Sequence, residues 1–221
     1  MAHIRSELVQ PHSLHPKIAT FVDLKDTYNN KESCQLDIIY VLPPSVFVDP
    51  YQLRDLEESI GKATVFGEHD LELPLEKIKE TRGSIVFLRQ SHIQTKWELE
   101  LPVHLRYQQP SIHTDHQPIT IQSPYASWTC GDEDQPWPPL FNEYSLLPSI
   151  QETSAEFIKL PGEPATLNLA VPIGKVQDAS TVAYGTFGTV IFCTFWIIYS
   201  VGLSIKKRRR TEAKGKRRKS E

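Results

Sequence analysis

Twenty-seven consecutive residues, Ala179 to Ile205, carry no charge, and Asp178 and Lys206 bracket them. Roughly 20 apolar residues at about 1.5 Å rise each cross the hydrocarbon core of a bilayer. The buried core helix of a soluble domain is shorter and keeps a polar stripe. The run therefore predicts one transmembrane helix. Phe187, Phe192, Trp196 and Tyr199 enrich it in aromatic rings, and Trp196 and Tyr199 fall toward its basic end, where the interface favours them.

The charges on either side set an orientation. The chain holds 24 Lys and Arg against 27 Asp and Glu. The last sixteen residues, from Lys206, hold ten basic and two acidic groups, a net +8. The preceding 205 residues keep 14 basic and 25 acidic groups, a net −11. By the positive-inside rule the tail stays cytosolic and residues 1–178 face the lumen or the exterior. A tail-anchored arrangement, with the domain cytosolic, would carry the +8 tail across the membrane. Met1 to Phe21 contains no 7–15-residue apolar core of the kind a signal peptide needs. Three readings follow: a start lacking its first exon, a domain translocated by the membrane helix itself, or the tail-anchored arrangement, which the +8 tail disfavours.

The expected division is 1–178 lumenal domain, 179–205 span and 206–221 basic tail. Outside the span and tail, about 180 residues suffice for one domain with its own core. A hydrophobic content of 39% excludes a mostly disordered chain. The acidic balance of that part argues against nucleic acid as a partner.

The domain reads as strands. Trp97, Leu99, Leu101, Val103, Leu105 and Tyr107 alternate with Glu98, Glu100, Pro102, His104 and Arg106. Period two means one buried and one wet face, and Pro102, which has no N–H, marks an edge strand or a bulge. Cys34 to Leu42, Leu71 to Leu75 and Leu167 to Val171 alternate similarly, and Ser84 to Arg89 fits a strand buried on both faces. Tyr51 to Ile60 alone reads as a short amphipathic helix. Pro-rich breaks between the runs suggest a mainly β fold, a sandwich-like or partly open barrel domain, followed by a single C-terminal transmembrane helix. Ser127 to Leu140 reads as a long surface loop.

Catalytic and metal motifs are absent. There is no Gly-rich phosphate loop, G-x-S-x-G or H-E-x-x-H. His12/His15 and His113/His116 have metal-pair spacing but lie among Pro and Gln, and read as solvated loop histidines. Asp132, Glu133 and Asp134 read as a solvated acidic run rather than a paired-carboxylate site. No cofactor and no metal are expected. Cys34 and Cys130 are the two thiols outside the span, and are candidates to pair in an oxidising lumen. Closing that loop of about 100 residues would stabilise by roughly 4–5 kcal/mol. No N-x-[ST] sequon occurs.

In the span, Thr181, Gly185, Thr189 and Cys193 recur at i, i+4 and are candidates for helix–helix packing. The basic run is a stop-transfer flank, a patch attracted to anionic membrane lipid, or both. Arg217, Arg218 and Lys219 resemble a dilysine-type retrieval signal, with Arg replacing one Lys.

Two strings are unusual, LPPSVFVDPYQL from Leu42 and LELPVHLRYQQPS from Leu99. With DLELP from Asp70 and one C-terminal span, they resemble the PIG-X family, which includes the fungal Pbn-type proteins. The resemblance covers about Ile18 to Ile205. It implies a single-pass endoplasmic reticulum protein, the non-catalytic partner of glycosylphosphatidylinositol (GPI) mannosyltransferase I. In that complex a multispanning PIG-M-type subunit carries the chemistry and adds the first mannose of the anchor precursor. Phe47, Asp49, Pro50, Tyr51, Leu101, Pro102, His104, Arg106 and Tyr107 match the family's characteristic positions. Of these Asp49, Pro50, Tyr51, Pro102, His104, Arg106 and Tyr107 are the partner-contact candidates, with His104 and Arg106 expected on the wet face and Phe47 and Tyr51 expected in the core. A single-pass surface receptor or adhesion protein with a β-sandwich ectodomain is the alternative, and the tail has no Tyr to serve it.

Overall fold

A computed structural model describes residues 3–24, 34–68, 70–78, 81, 83–90, 94–130, 156–159 and 166–218, with the side chains of 129, 130, 156–159 and 213–218 excepted. In chain order the strands are β1 (His3–Val9), β2 (Lys17–Asp23), β3 (Cys34–Leu42) and β4 (Val46–Phe47). Two short helices follow, α1 (Pro50–Asp55) and α2 (Glu57–Ile60). Next come β5 (Lys62–Gly67), β6 (Ser84–Gln90), β7 (Lys96–Pro102), β8 (His104–Leu105), β9 (His116–Gln122) and β10 (Tyr125–Cys130). β11 (Glu156–Lys159), β12 (Thr166–Pro172) and the 40-residue helix α3 (Ala179–Arg218) complete the described elements. The chain divides into two compact units, 1–173 and 174–221.

The first unit is all antiparallel. Its sheets run β1-β2-β7 and β11-β10-β3-β6-β5, with the two-stranded pairs β12-β9 and β4-β8. No closed barrel forms among the described strands. Alternation explains the core. Ile18 and Val22 of β2 and Leu99 and Leu101 of β7 turn one face inward. Leu36, Ile38, Tyr40 and Leu42 of β3 and Val86 and Leu88 of β6 do the same from the larger sheet. All belong to one apolar cluster, with Trp128 of β10 and Ile121, Leu167 and Leu169 of the β9–β12 pair. Two inner faces sharing one core make the unit sandwich-like. Thr20 Oγ1 lies 2.7 Å from the Tyr40 hydroxyl and 3.0 Å from Ser6 Oγ. Complete burial pushes the Tyr40 phenol far above its ordinary pKa.

The central strands β3 and β6 are buried on both faces. Ile39, Ile85 and Phe87 form a second small cluster opposite the main core. Asp37 lies on that face, fully buried, and takes two bonds from Arg89 across the register, Nε to Oδ1 at 2.8 Å and Nη2 to Oδ2 at 2.9 Å. Gly83 enters β6 at φ +86°, and a Cβ there would stand 2.1 Å from the Leu42 carbonyl oxygen, so only glycine fits.

Three sequence expectations change. Leu71 to Leu75 is not a strand. Local bonds hold bends there, from Asp70 N to Glu68 Oε1 and from Glu72 N to Asp70 Oδ1, and Pro74 precedes a 3₁₀ turn at Leu75–Lys77. The amphipathic helix is broken in two at Leu56, with Leu53 and Ile60 still buried. Ser127 to Cys130 is strand, with Ser127 and Trp128 buried, not the start of a surface loop. Residues 131–140, with Asp132, Glu133 and Asp134, lie outside the described residues.

In the second unit, α3 runs past the apolar segment into the basic tail. At about 1.5 Å per residue its 40 residues span about 60 Å, twice a hydrocarbon core. Arg208 Nε bonds Glu212 Oε1 at 3.0 Å, an i,i+4 pair that supports the extension.

Candidate functional site

The two unusual strings meet in space. β4 lies in the first and β8 in the second, and they pair antiparallel with Val46 opposite Leu105 and Phe47 opposite His104. Backbone bonds extend the join: Arg106 N donates to Ser45 O at 2.9 Å. On the other side Val103 N and Leu105 N donate to Pro16 O and Leu14 O. Since N–H groups alternate sides along a strand, Pro102 presents its missing donor away from β2. That is the outer side of β7, itself an edge strand of its sheet, as the proline implies.

Asp49 caps α1. Its Oδ1 accepts from Tyr51 N at 2.8 Å, and Pro50 occupies the first turn, where a missing N–H costs nothing. This fixes Gln52 toward His104, whose Nε2 lies 3.0 Å from Gln52 Oε1. His104 Nδ1 is 2.7 Å from His15 Nδ1, so one nitrogen carries a proton and the other accepts it. The His104 ring stacks on Phe47 at 5.2 Å. Burial lowers the His104 pKa, His15 lowers it further and Asp49 opposes both. His104 is half-buried, and His15, an exposed loop residue as expected, is its hydrogen-bond partner.

Arg106 corrects the expected wet face. Only 3% of it is exposed. The alternation stops at Leu105 because β8 is two residues long, and the chain after it turns to follow β4. The guanidinium packs 4.5 Å over the Phe47 ring and donates from Nη1 to Leu73 O at 2.6 Å. Its Nε and Nη2 are closed off from solvent and have no hydrogen-bond partner among the described residues. Burial lowers the Arg106 pKa, against the pull of Glu68 and Asp70. Tyr51 and Tyr107 are the reverse correction. Tyr51, expected in the core, is 65% exposed, and Tyr107, the last ring of the alternating series, is 79% exposed. Phe47 is half-buried between His104 and Arg106.

Other candidates fall elsewhere. Cys34 is disulfide-bonded, and the position directly opposite it in the β3–β10 register is Cys130. Thr181, Gly185, Thr189 and Cys193 share a face of α3, where Thr189 Oγ1 donates to Gly185 O at 2.8 Å and Cys193 is a free thiol. Arg217 and Arg218 end the described part of α3, and Lys219 lies outside it. His113, in the turn before β9, and His116, its first residue, are both exposed. Sequence reasoning missed His15, Gln52 and the Leu73 carbonyl as parts of the site. Each is brought in by a non-local contact that leaves no local signal.

Among the described residues, the site's side chains hold one another in place through the His15–His104–Gln52 contacts and the Arg106–Leu73 bond. Residues 11–202 match the model of the family described as PIG-X / PBN1. The chain is 28% identical over 206 residues to Protein pbn1 of Schizosaccharomyces pombe, covering 87% of this chain and 58% of that protein. It is 26% identical to Protein PBN1 of Eremothecium gossypii, covering 87% of this chain and 43% of that protein. It is 27% identical over 207 residues to the human protein named GPI alpha-1,4-mannosyltransferase I, stabilizing subunit, covering 90% of this chain and 79% of that one. The chain thus spans about half the length of the two fungal relatives. With the family's model matched from before β2 into α3, the chain belongs to the PIG-X / PBN1 family.

Proposed function

We propose that this chain is a non-catalytic stabilising subunit of GPI mannosyltransferase I, acting in anchor biosynthesis in the endoplasmic reticulum membrane. Membership of the PIG-X / PBN1 family carries the reading, together with the human and mouse relatives named as stabilizing subunits. Residues 1–178 are lumenal, 179–205 span the membrane and 206–221 form the cytosolic tail. The charge asymmetry supports this orientation, and so does the disulfide at Cys34, since such bonds persist in oxidising compartments. Cys130 is its partner, because directly opposed antiparallel positions stand about 4.5–5.5 Å apart at Cα, within disulfide reach.

The partner is a multispanning PIG-M-type catalytic subunit. The joined strings face it: Tyr51 and Tyr107 make contact, while Asp49, Pro50, Pro102 and His104 hold them in place. The α3 face of Thr181, Gly185, Thr189 and Cys193 packs against one of its helices, and the basic tail meets anionic lipid. Arg217, Arg218 and Lys219 serve retrieval.

Depleting the protein should lower the level of the catalytic subunit, the transfer of the first mannose and the surface display of anchored proteins together. Undiminished first-mannose transfer in membranes lacking the protein would refute the role.

A further inference from the structure

Arg106 stands out among the buried polar groups. It is held on three sides, by its backbone bond to Ser45 O, by Nη1 on Leu73 O and by the Phe47 ring. Its remaining edge, Nε and Nη2, points two donors at no acceptor among the described residues. A charged donor pair left unsatisfied in a low-dielectric setting is strongly unfavourable, so this edge selects for an anion. The fold shows which anion suits it. Arg89 uses the same two atoms, Nε and Nη2, to grip both oxygens of Asp37. That edge matches a planar carboxylate bidentately.

We propose that the Nε/Nη2 edge of Arg106 is a receptor for one carboxylate, supplied by an acidic side chain of the catalytic subunit; this rests on the accessory-subunit reading. The surroundings favour such a contact. Tyr51 and Tyr107 are exposed rings on the same pair of strings, and Tyr and Arg are the residues that most often anchor interfaces. The carboxylate reaches the edge by shifting the run that supplies Leu73. Four of that run's backbone N–H bonds go to its own neighbours: Asp70 N to Glu68 Oε1, Glu72 N to Asp70 Oδ1, Lys77 N to Pro74 O and Ile78 N to Leu75 O. Such a run opens at low free energy. Glu68 and Asp70 are the competing carboxylates from this chain, and their oxygens now hold the turns of their own loop.

The full-length chain, co-expressed with the catalytic subunit and purified in detergent, tests this. Arg106→Lys keeps the charge and removes the fork. It should reduce co-purified catalytic subunit about tenfold or more, while the chain's melting temperature stays near wild type. Glu68→Gln with Asp70→Asn should leave co-purification unchanged or raise it. Undiminished co-purification of Arg106→Lys overturns the proposal. So does a loss that Glu68→Gln/Asp70→Asn reproduces along with a lowered melting temperature in the absence of partner, because the carboxylate would then be this chain's own. If Arg106→Lys fails to fold, single Asp→Asn and Glu→Gln changes on the lumenal loops of the catalytic subunit replace it. One of them should reproduce the loss, and none doing so overturns the proposal. Failure of the wild-type chain to co-purify would sink the accessory-subunit reading, and this inference with it.

Discussion

At His104 several weak interactions fix one protonation state. The ring is stacked on Phe47, bonded at Nε2 to Gln52 and held at Nδ1 against His15. If Nε2–H donates to Gln52 Oε1, Nδ1 is bare and accepts from His15 Nδ1–H, which satisfies all the groups with both rings neutral. Protonating His104 sets two N–H groups against each other at 2.7 Å unless His15 moves its own proton to Nε2. Its pKa is accordingly lower in the fold than the ordinary 6.5, chiefly through burial, with His15 adding and Asp49 opposing. The unfolded chain therefore binds this proton more readily than the folded one. The stabilisation is fully present above about pH 6.5 and is lost as pH falls below that through the lowered folded value. Melting temperatures of the detergent-solubilised protein should decline over this window. His104→Gln should flatten the decline there, and an unchanged slope in that variant would count against the arrangement.

Among the elements, β3 and β6 carry the greatest local risk because they bury a charge pair. Asp37 is fully buried and Arg89 largely so. Breaking such a pair by removing one charge costs about 3–5 kcal/mol, whereas replacing both members with apolar side chains of similar size is often near neutral. Asp37→Asn should therefore lower the urea midpoint by an amount equivalent to about 3 kcal/mol at unchanged m-value, followed by tryptophan fluorescence. Asp37→Leu with Arg89→Met should recover most of the loss. The same strands show what the sequence could reveal. β7 and β12 were legible because one face is wet, so Leu99 and Leu101, and Leu167 and Leu169, alternate with polar residues. The double burial of Ser84 to Arg89 was legible as an unbroken apolar run. Leu71, Leu73 and Leu75 imitated a strand because turns that repeat an apolar residue every second position give the same pattern. The site was half legible. Its two strings are recognisable separately, but the β4–β8 pairing joins residues almost sixty positions apart, and that pairing together with the run carrying Leu73 buries Arg106.

For the whole molecule, the decisive quantity is which side of the membrane the β unit occupies. The charge-free part of α3 is 27 residues, about 40 Å of helix, enough to cross a core of about 30 Å with some tilt. The remaining helix carries Lys206, Lys207, Arg208, Arg209 and Arg210 consecutively, so positive charge surrounds it at one end of the span. If that ring stays in the cytosol, as proposed, the β unit lies in the lumen, an oxidising compartment in which the Cys34 disulfide is stable. Glycosylation reads this out directly, because the native sequence has no acceptor site. Ile112 is 62% exposed in the turn before β9 and is followed by His113 and Thr114. Ile112→Asn creates the single sequon Asn-His-Thr at a position where a glycan displaces no core side chain. In cells this variant should shift in mass by one glycan that endoglycosidase H removes. In intact microsomes an epitope after Glu221 should be trimmed by added protease while the β unit is protected. A variant that stays unglycosylated with a protected epitope would place the β unit in the cytosol. It would also remove the electrostatic basis of the orientation, since ten basic groups would then have crossed the bilayer.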